Sequence, residues 1–144
     1  MDPAFARLTL PARVESVGKF HEFVRDGAQA VGVESSDLDK LDLVMEEILV
    51  NIARYAYAGR NGDVEVAYAL DGASLSIEIT DWGGSFNPLE AALPDLSVGL
   101  ADRPIGGLGI LLVKQIVGAL AYRRAEEQNI VSFRFPSRIA SSAE

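Results

Sequence analysis

The two runs "DVEVAYAL" and "SLSIEIT", which flank Asp71-Gly72, limit the fold more than any other part of the chain. In each run apolar and polar residues alternate, so one side of each strand is apolar. Asp-Gly between two such runs is a strong short-turn signal, and the pair reads as adjacent antiparallel strands. A sheet with one apolar face needs a cover, and the remaining sequence supplies helices for it.

"ARLTL" alternates and stops at Pro11, as a short edge strand would. Val17, Phe20, Val24 and Val31 then give a helix its apolar side before Gly32. Ser36 followed by Asp39 resembles a capping box, with Asp in place of the usual Glu, and opens a second helix. Its stripe is Leu38, Leu41, Met45, Ile48 and Ile52, and Gly59 to Gly62 breaks it. After the hairpin come "DWGGSFNP" and a stretch to Ile105, together holding three prolines and no period, long enough for a loop to mark it as functional. "GGLGILLVKQIVGAL" reads as a glycine cluster leading into a helix, and "AYRRAEEQNIVSFRF" as two closing strands about a polar turn. The expected class is α+β, a two-layer α/β sandwich with a mixed, mostly antiparallel sheet and its helices on one face. One domain over residues 1–138 is expected, with 139–144 a flexible tail.

Charge narrows the partners. The formal net charge is −8 and the pI about 4.6, which repels phosphate backbones and anionic lipid, so neither nucleic acid nor a membrane surface is expected, while a partner with a basic face stays open. There is no cysteine and a single histidine, His21, so disulfides and thiolate or histidine metal sites are excluded. No run of about 18 apolar residues occurs, and "MDPAFARLTLP" lacks the features of a signal peptide; the expected location is the cytoplasm.

Three motifs carry chemistry, and each has a plainer reading beside it. Glu47 and Asn51 lie one turn apart on the second helix. They are either solvated residues at the edge of the stripe, or a carboxylate able to take a hydroxyl proton and an amide oxygen able to ligate a hard cation. Asp81 in "DWGG" is either part of a common turn, or a buried acceptor for an exocyclic amine with Gly83 letting a flat ring approach the backbone. Gly106, Gly107 and Gly109 are either a turn, or the place where phosphate oxygens meet a helix N-terminus.

In this order the three motifs resemble the N, G1 and G2 boxes of the GHKL ATPases, which have the Bergerat fold. The wording "EEILVNIARYAY … DWGGSFNP … GGLGILLVKQIV" is most similar to bacterial anti-sigma factor serine/threonine kinases, and the resemblance runs from "LTLPA" to "VSFRF". It implies ATP and Mg²⁺, with Glu47 as base and Asn51 holding the metal between the phosphates. Asp81 would take the adenine amine, with Gly83 beside the ring. Gly106, Gly107 and Gly109 would form the lid hinge and phosphate turn, residues 89–109 the lid region, and Arg103 a contact to the γ-phosphate. Tyr55 stands where many members have His, and Gly118 where many have Asp.

The function implied is an ATP-dependent protein serine/threonine kinase that phosphorylates an anti-anti-sigma protein of the STAS type and binds a sigma factor or comparable regulator. A homodimer is the assembly the resemblance favours. The alternative is a nucleotide-gated binding module without turnover. "FHEF" offers His21 as a phosphoacceptor, but His21 falls within the first helix of the domain, with no preceding helical hairpin to present it.

Overall fold

The computed structural model describes residues 5–90 and 107–136. Arg103, Gly106, most of the expected lid and the C-terminal tail lie outside the described residues. The elements are β1 (Ala6–Pro11), α1 (Val17–Ala30), α2 (Ser35–Tyr55), β2 (Asp63–Asp71), β3 (Ser74–Asp81), α3 (Gly107–Ile116), β4 (Gly118–Ala125) and β5 (Gln128–Phe135), with a short 3-10 turn at Val14–Ser16.

The five strands form one sheet in the order β1-β2-β3-β5-β4. Every neighbouring pair is antiparallel, which agrees with the mostly antiparallel sheet expected, and no parallel pair occurs among the described residues. β2 and β3 pair from Val64↔Asp81 to Asp71↔Ser74, which puts Gly72 and Ala73 at the tip. Gly72 has φ 62°, the positive value a two-residue hairpin turn asks of its first central residue. The edge strand β1 ends at Pro11, whose missing N–H removes no bond from the sheet interior.

One phase of each strand faces the helices. Val66 on β2, Leu75, Ile77 and Ile79 on β3, and Val131, Phe133 and Phe135 on β5 are buried against Phe20, Val24 and Ala28 of α1. The whole expected stripe of α2, Leu38, Leu41, Met45, Ile48 and Ile52, is buried with them. Each of these side chains larger than Ala28 contributes about 1.5–3 kcal/mol when fully removed from water. The two layers are therefore held by one apolar seam, and polar side chains placed on that seam need a separate reason.

Two boundaries differ from expectation. α2 begins at Ser35 with Glu34 in the N-cap position and no side-chain cap bond, so Ser36 and Asp39 make no capping box. Asp39 turns instead to Arg25 on α1, with Nη2 at 3.3 Å, next to the tighter pair of Arg25 and Asp42 at 2.6 Å. The third helix stops at Ile116, and "GAL" opens β4 rather than ending the helix. Ala119, with φ 54° in a bulge between Gly118 and Ala121, turns the chain into the strand.

Candidate functional site

Asp81 ends β3 in the same phase as Leu75, Ile77 and Ile79, so it points into the seam between sheet and helices. It is fully buried. Its Oδ1 accepts from the backbone N–H of Gly83 at 2.9 Å and from Asn129 Nδ2 at 2.8 Å. Its Oδ2 is buried and has no partner among the described residues. Burial pushes the carboxyl above its ordinary range, against the hydrogen bonds from Asn129 and Gly83 and the charge of Arg124. An unsatisfied buried acceptor costs about 1–3 kcal/mol. Such an atom marks a site for a donor, and an exocyclic amine meets the requirement.

Asn129, which the motifs did not single out, organises the surroundings. It lies directly opposite Asp81 in the β3–β5 register and is 1% exposed. Its second donated bond goes to the Gly84 carbonyl at 2.8 Å. Its Oδ1 accepts from Phe86 N at 3.2 Å, Tyr122 Oη at 2.7 Å and Arg124 Nη1 at 3.2 Å. Arg124 also donates to the Gly83 carbonyl at 2.8 Å. The β4–β5 hairpin thus straps down the loop after Asp81. The signal was in the sequence: Asn129, Val131, Phe133 and Phe135 share one strand phase, and a polar residue at the end of an apolar phase is out of place unless it is bonded.

The other side of the loop is fixed by the end of α2. A Cβ on Gly83 would lie 2.1 Å from the Ala56 carbonyl oxygen, and Gly84 N donates to that same oxygen at 3.2 Å. The missing side chain of Gly83 is therefore what lets the loop close on α2, a requirement separate from the expected approach of a ring. Tyr57 adds a further tie, accepting from Trp82 N at 2.9 Å and donating to the Asp63 carbonyl.

On α2, Asn51 is 3% exposed and its Nδ2 donates to the Pro88 carbonyl at 3.2 Å. That bond fixes the amide plane and directs the amide oxygen, the atom a hard cation would use, the other way. Glu47, one turn earlier, is half-buried. Its carboxyl is raised by burial and then by the adjacent Glu46, while Arg54 pulls it down. A carboxylate with raised proton affinity beside a buried amide is suited to taking a proton from a hydroxyl. No group of three acidic or histidine side chains capable of holding a metal unaided occurs among the described residues. The donor set fits Mg²⁺, which takes one or two protein oxygens and completes its shell with phosphates and water.

Gly107 and Gly109 fall in the first turn of α3, where backbone N–H groups lack helical partners. Tyr55 is 47% exposed and packs its ring on Phe86 with centroids 6.0 Å apart. Asp81, Gly83 and the end of α2 are thus brought into direct contact, and Asn51 reaches the same loop through Pro88. Glu47 lies one turn from Asn51 and makes no contact with the loop among the described hydrogen bonds.

Comparison with known proteins gives the same outline. Residues 10–135 match the family described as the histidine kinase-like ATPase domain. The chain is 30% identical over 90 residues to the serine/threonine-protein kinase BtrW of Bordetella bronchiseptica, a stretch covering 62% of this chain and 63% of that protein. It is 22% identical over 135 residues to the serine-protein kinase RsbW of Bacillus mycoides, covering 91% of this chain and 84% of that one. Among solved structures, the RsbU and RsbW domains of a Mycobacterium tuberculosis protein superpose with TM-score 0.60 at 17% identity, over 96% of this chain and 35% of that one. A histidine kinase domain from Erythrobacter litoralis superposes with TM-score 0.53 at 16% identity, over 84% of this chain and 61% of that one. Those two likenesses speak for the fold alone.

Proposed function

The chain belongs to the family of histidine kinase-like ATPase domains, and we propose that within it the protein is an ATP-dependent protein serine/threonine kinase serving as an anti-sigma regulatory factor. The observation that carries this reading is the buried, unpartnered Oδ2 of Asp81, held in place by Asn129 and Gly83 next to the helix that bears Glu47 and Asn51. The names of the relatives, serine/threonine-protein kinase and serine-protein kinase, support the reaction class.

In this proposal the adenine amine of the substrate ATP donates to Asp81 Oδ2 and relieves its unsatisfied state. Asn51 offers its amide oxygen to Mg²⁺, and the first turn of α3, at Gly107 and Gly109, faces its N–H groups to the phosphates. The bound metal supplies charge neutralisation between the phosphates. Glu47 accepts the proton of a partner's serine hydroxyl as that oxygen attacks the γ-phosphorus, the bond to the β-phosphate oxygen breaks, and ADP leaves with the bonding pair. Phosphoryl transfer asks mainly for position and charge, and the residues are of the types that supply both. Arg103 and Gly106 complete the proposal as the γ-phosphate contact and the hinge.

The substrate proposed is a small anti-anti-sigma protein of the STAS type, with a sigma factor or similar regulator as the second partner. The net charge of −8 favours partners with basic faces. The test is to incubate the protein with Mg²⁺, γ-labelled ATP and a candidate STAS-domain protein from the same genome. Label on a serine or threonine of the partner is the expected result. Nucleotide-dependent binding with no transferred label would replace the kinase reading with that of a nucleotide-gated binding module.

A further inference from the structure

The face of the sheet turned away from the helices carries a second feature. There Ser76 on β3 lies directly opposite Arg134 on β5, and Glu78 directly opposite Ser132. With Phe5 and the bulged Ala119, these four side chains line a cavity of about 240 Å³. Among the described residues the buried Arg134 Nε has no hydrogen-bond partner, and the side chain's only ion pair there is a long one, 3.6 Å from Nη2 to Asp71. Glu78 makes no ion pair or side-chain hydrogen bond among the described residues, and neither do the two serine hydroxyls. A cation and an anion therefore share one small cavity without neutralising each other. An anion alone would meet Glu78 and a cation alone would meet Arg134, so the arrangement favours a ligand that carries both signs. The volume is below the roughly 300–1,000 Å³ of sites for drug-sized ligands, which restricts the occupant to a small molecule.

We infer that this cavity, on the opposite face of the sheet from Asp81, is a binding site for a small zwitterion of the α-amino acid class, its carboxylate held by Arg134 and the Ser76 and Ser132 hydroxyls and its ammonium by Glu78. Guanidinium is the group suited to a carboxylate, and a buried N–H left unpaired is the atom with most to gain from one. Phe5 supplies an apolar wall for the side chain of the ligand. Because Asp81 points to the other face, occupancy does not compete with nucleotide.

Calorimetry on the full chain, without nucleotide, tests this with free amino acids from glycine to leucine in size, their carboxamides, their N-acetyl derivatives and inorganic phosphate as probes. At least one free amino acid is expected to bind, with its amide and its N-acetyl form at least tenfold weaker. Arg134→Gln and Glu78→Gln should each weaken it at least tenfold while ATP affinity stays at the wild-type value in both. No heat from any free amino acid overturns the inference. So does equal binding of an N-acetyl derivative or of phosphate, which would make the cavity a plain anion site. Retained amino acid binding in both variants places the ligand elsewhere and overturns it as well. The readouts involve neither phosphoryl transfer nor a protein partner, so failure here leaves the kinase proposal standing and its failure leaves this one.

Discussion

Glu47 is pulled in two directions on α2. Burial and Glu46 raise its proton affinity above the ordinary glutamate value of 4.5, and Arg54, two turns further on, lowers it. If it is the base, transfer under single-turnover conditions should rise with pH through that elevated value and level off toward neutrality. The matching sign for stability is that the glutamate favours the fold most below about 4.5, and this contribution is lost as pH rises through the raised native value. Arg54→Ala removes the opposing charge, so the acid limb should move to higher pH with an unchanged plateau. A limb that stays in place would show that Arg54 does not act on the catalytic proton. Glu47, Asn51 and Asp81 stand out in the sequence as candidates because each is a polar residue beside or within an apolar pattern. Asn129 breaks the pattern of β5 in the same way, yet its meaning depends on lying opposite Asp81, and cross-strand register is not written in either strand alone. Gly83 has a structural requirement that its motif does not reveal, the close approach of the Ala56 carbonyl, because that is a contact between elements far apart in sequence.

The elements were easiest to read where a period runs long. The stripe of α2 and the alternation of β2 and β3 each extend over several repeats, while the end of α3 is a short apolar run that suits helix and strand equally. Capping failed as a guide at Ser36 because a tertiary ion pair, Arg25 with Asp39 and Asp42, drew the carboxylate away. The β4–β5 hairpin shows a local conflict of another kind. Ala125 pairs with Gln128, so the turn consists of Glu126 and Glu127, at φ 50° and 66°. Both values lie in the left-handed region, where a residue with a side chain is strained by roughly 1–3 kcal/mol and where Asn-Gly is the favoured pair. Two adjacent carboxylates add repulsion. Replacing Glu126-Glu127 by Asn-Gly should stabilise the protein by about 1–2 kcal/mol, read as a higher urea midpoint at constant slope. A lower midpoint would mean that the glutamates make stabilising contacts outweighing the strain.

For the molecule as a whole, the two-layer arrangement followed from the one-sided apolar character of strands and helices. The strand order did not follow, because placing β5 between β3 and β4 depends on a crossover through α3. That order sets Asp81 beside Asn129 and so joins the loop, the hairpin and the end of α2 around one unsatisfied oxygen. A ligand that completes such a site binds only the folded chain and must stabilise all of it. At a hundredfold excess over its dissociation constant, Mg·ATP should add about 2.7 kcal/mol, a rise in Tm of roughly 5–10 °C for a chain of this size. Two substitutions one turn apart on α2 should divide this effect from catalysis. If Asn51 ligates the metal, Asn51→Ala should lose the Mg²⁺-dependent part of the shift, and with it all transfer. Glu47→Ala leaves the nucleotide contacts in place, so it should keep the full shift while transfer falls by roughly 10²–10⁴-fold. The solvated-edge reading of the pair forecasts a different result, with both variants showing the wild-type shift and rate. An Asn51→Ala protein that keeps the Mg²⁺-dependent shift would remove Asn51 from the metal site. A Glu47→Ala protein that transfers phosphate at the wild-type rate would remove Glu47 as the base and require another acceptor for the hydroxyl proton.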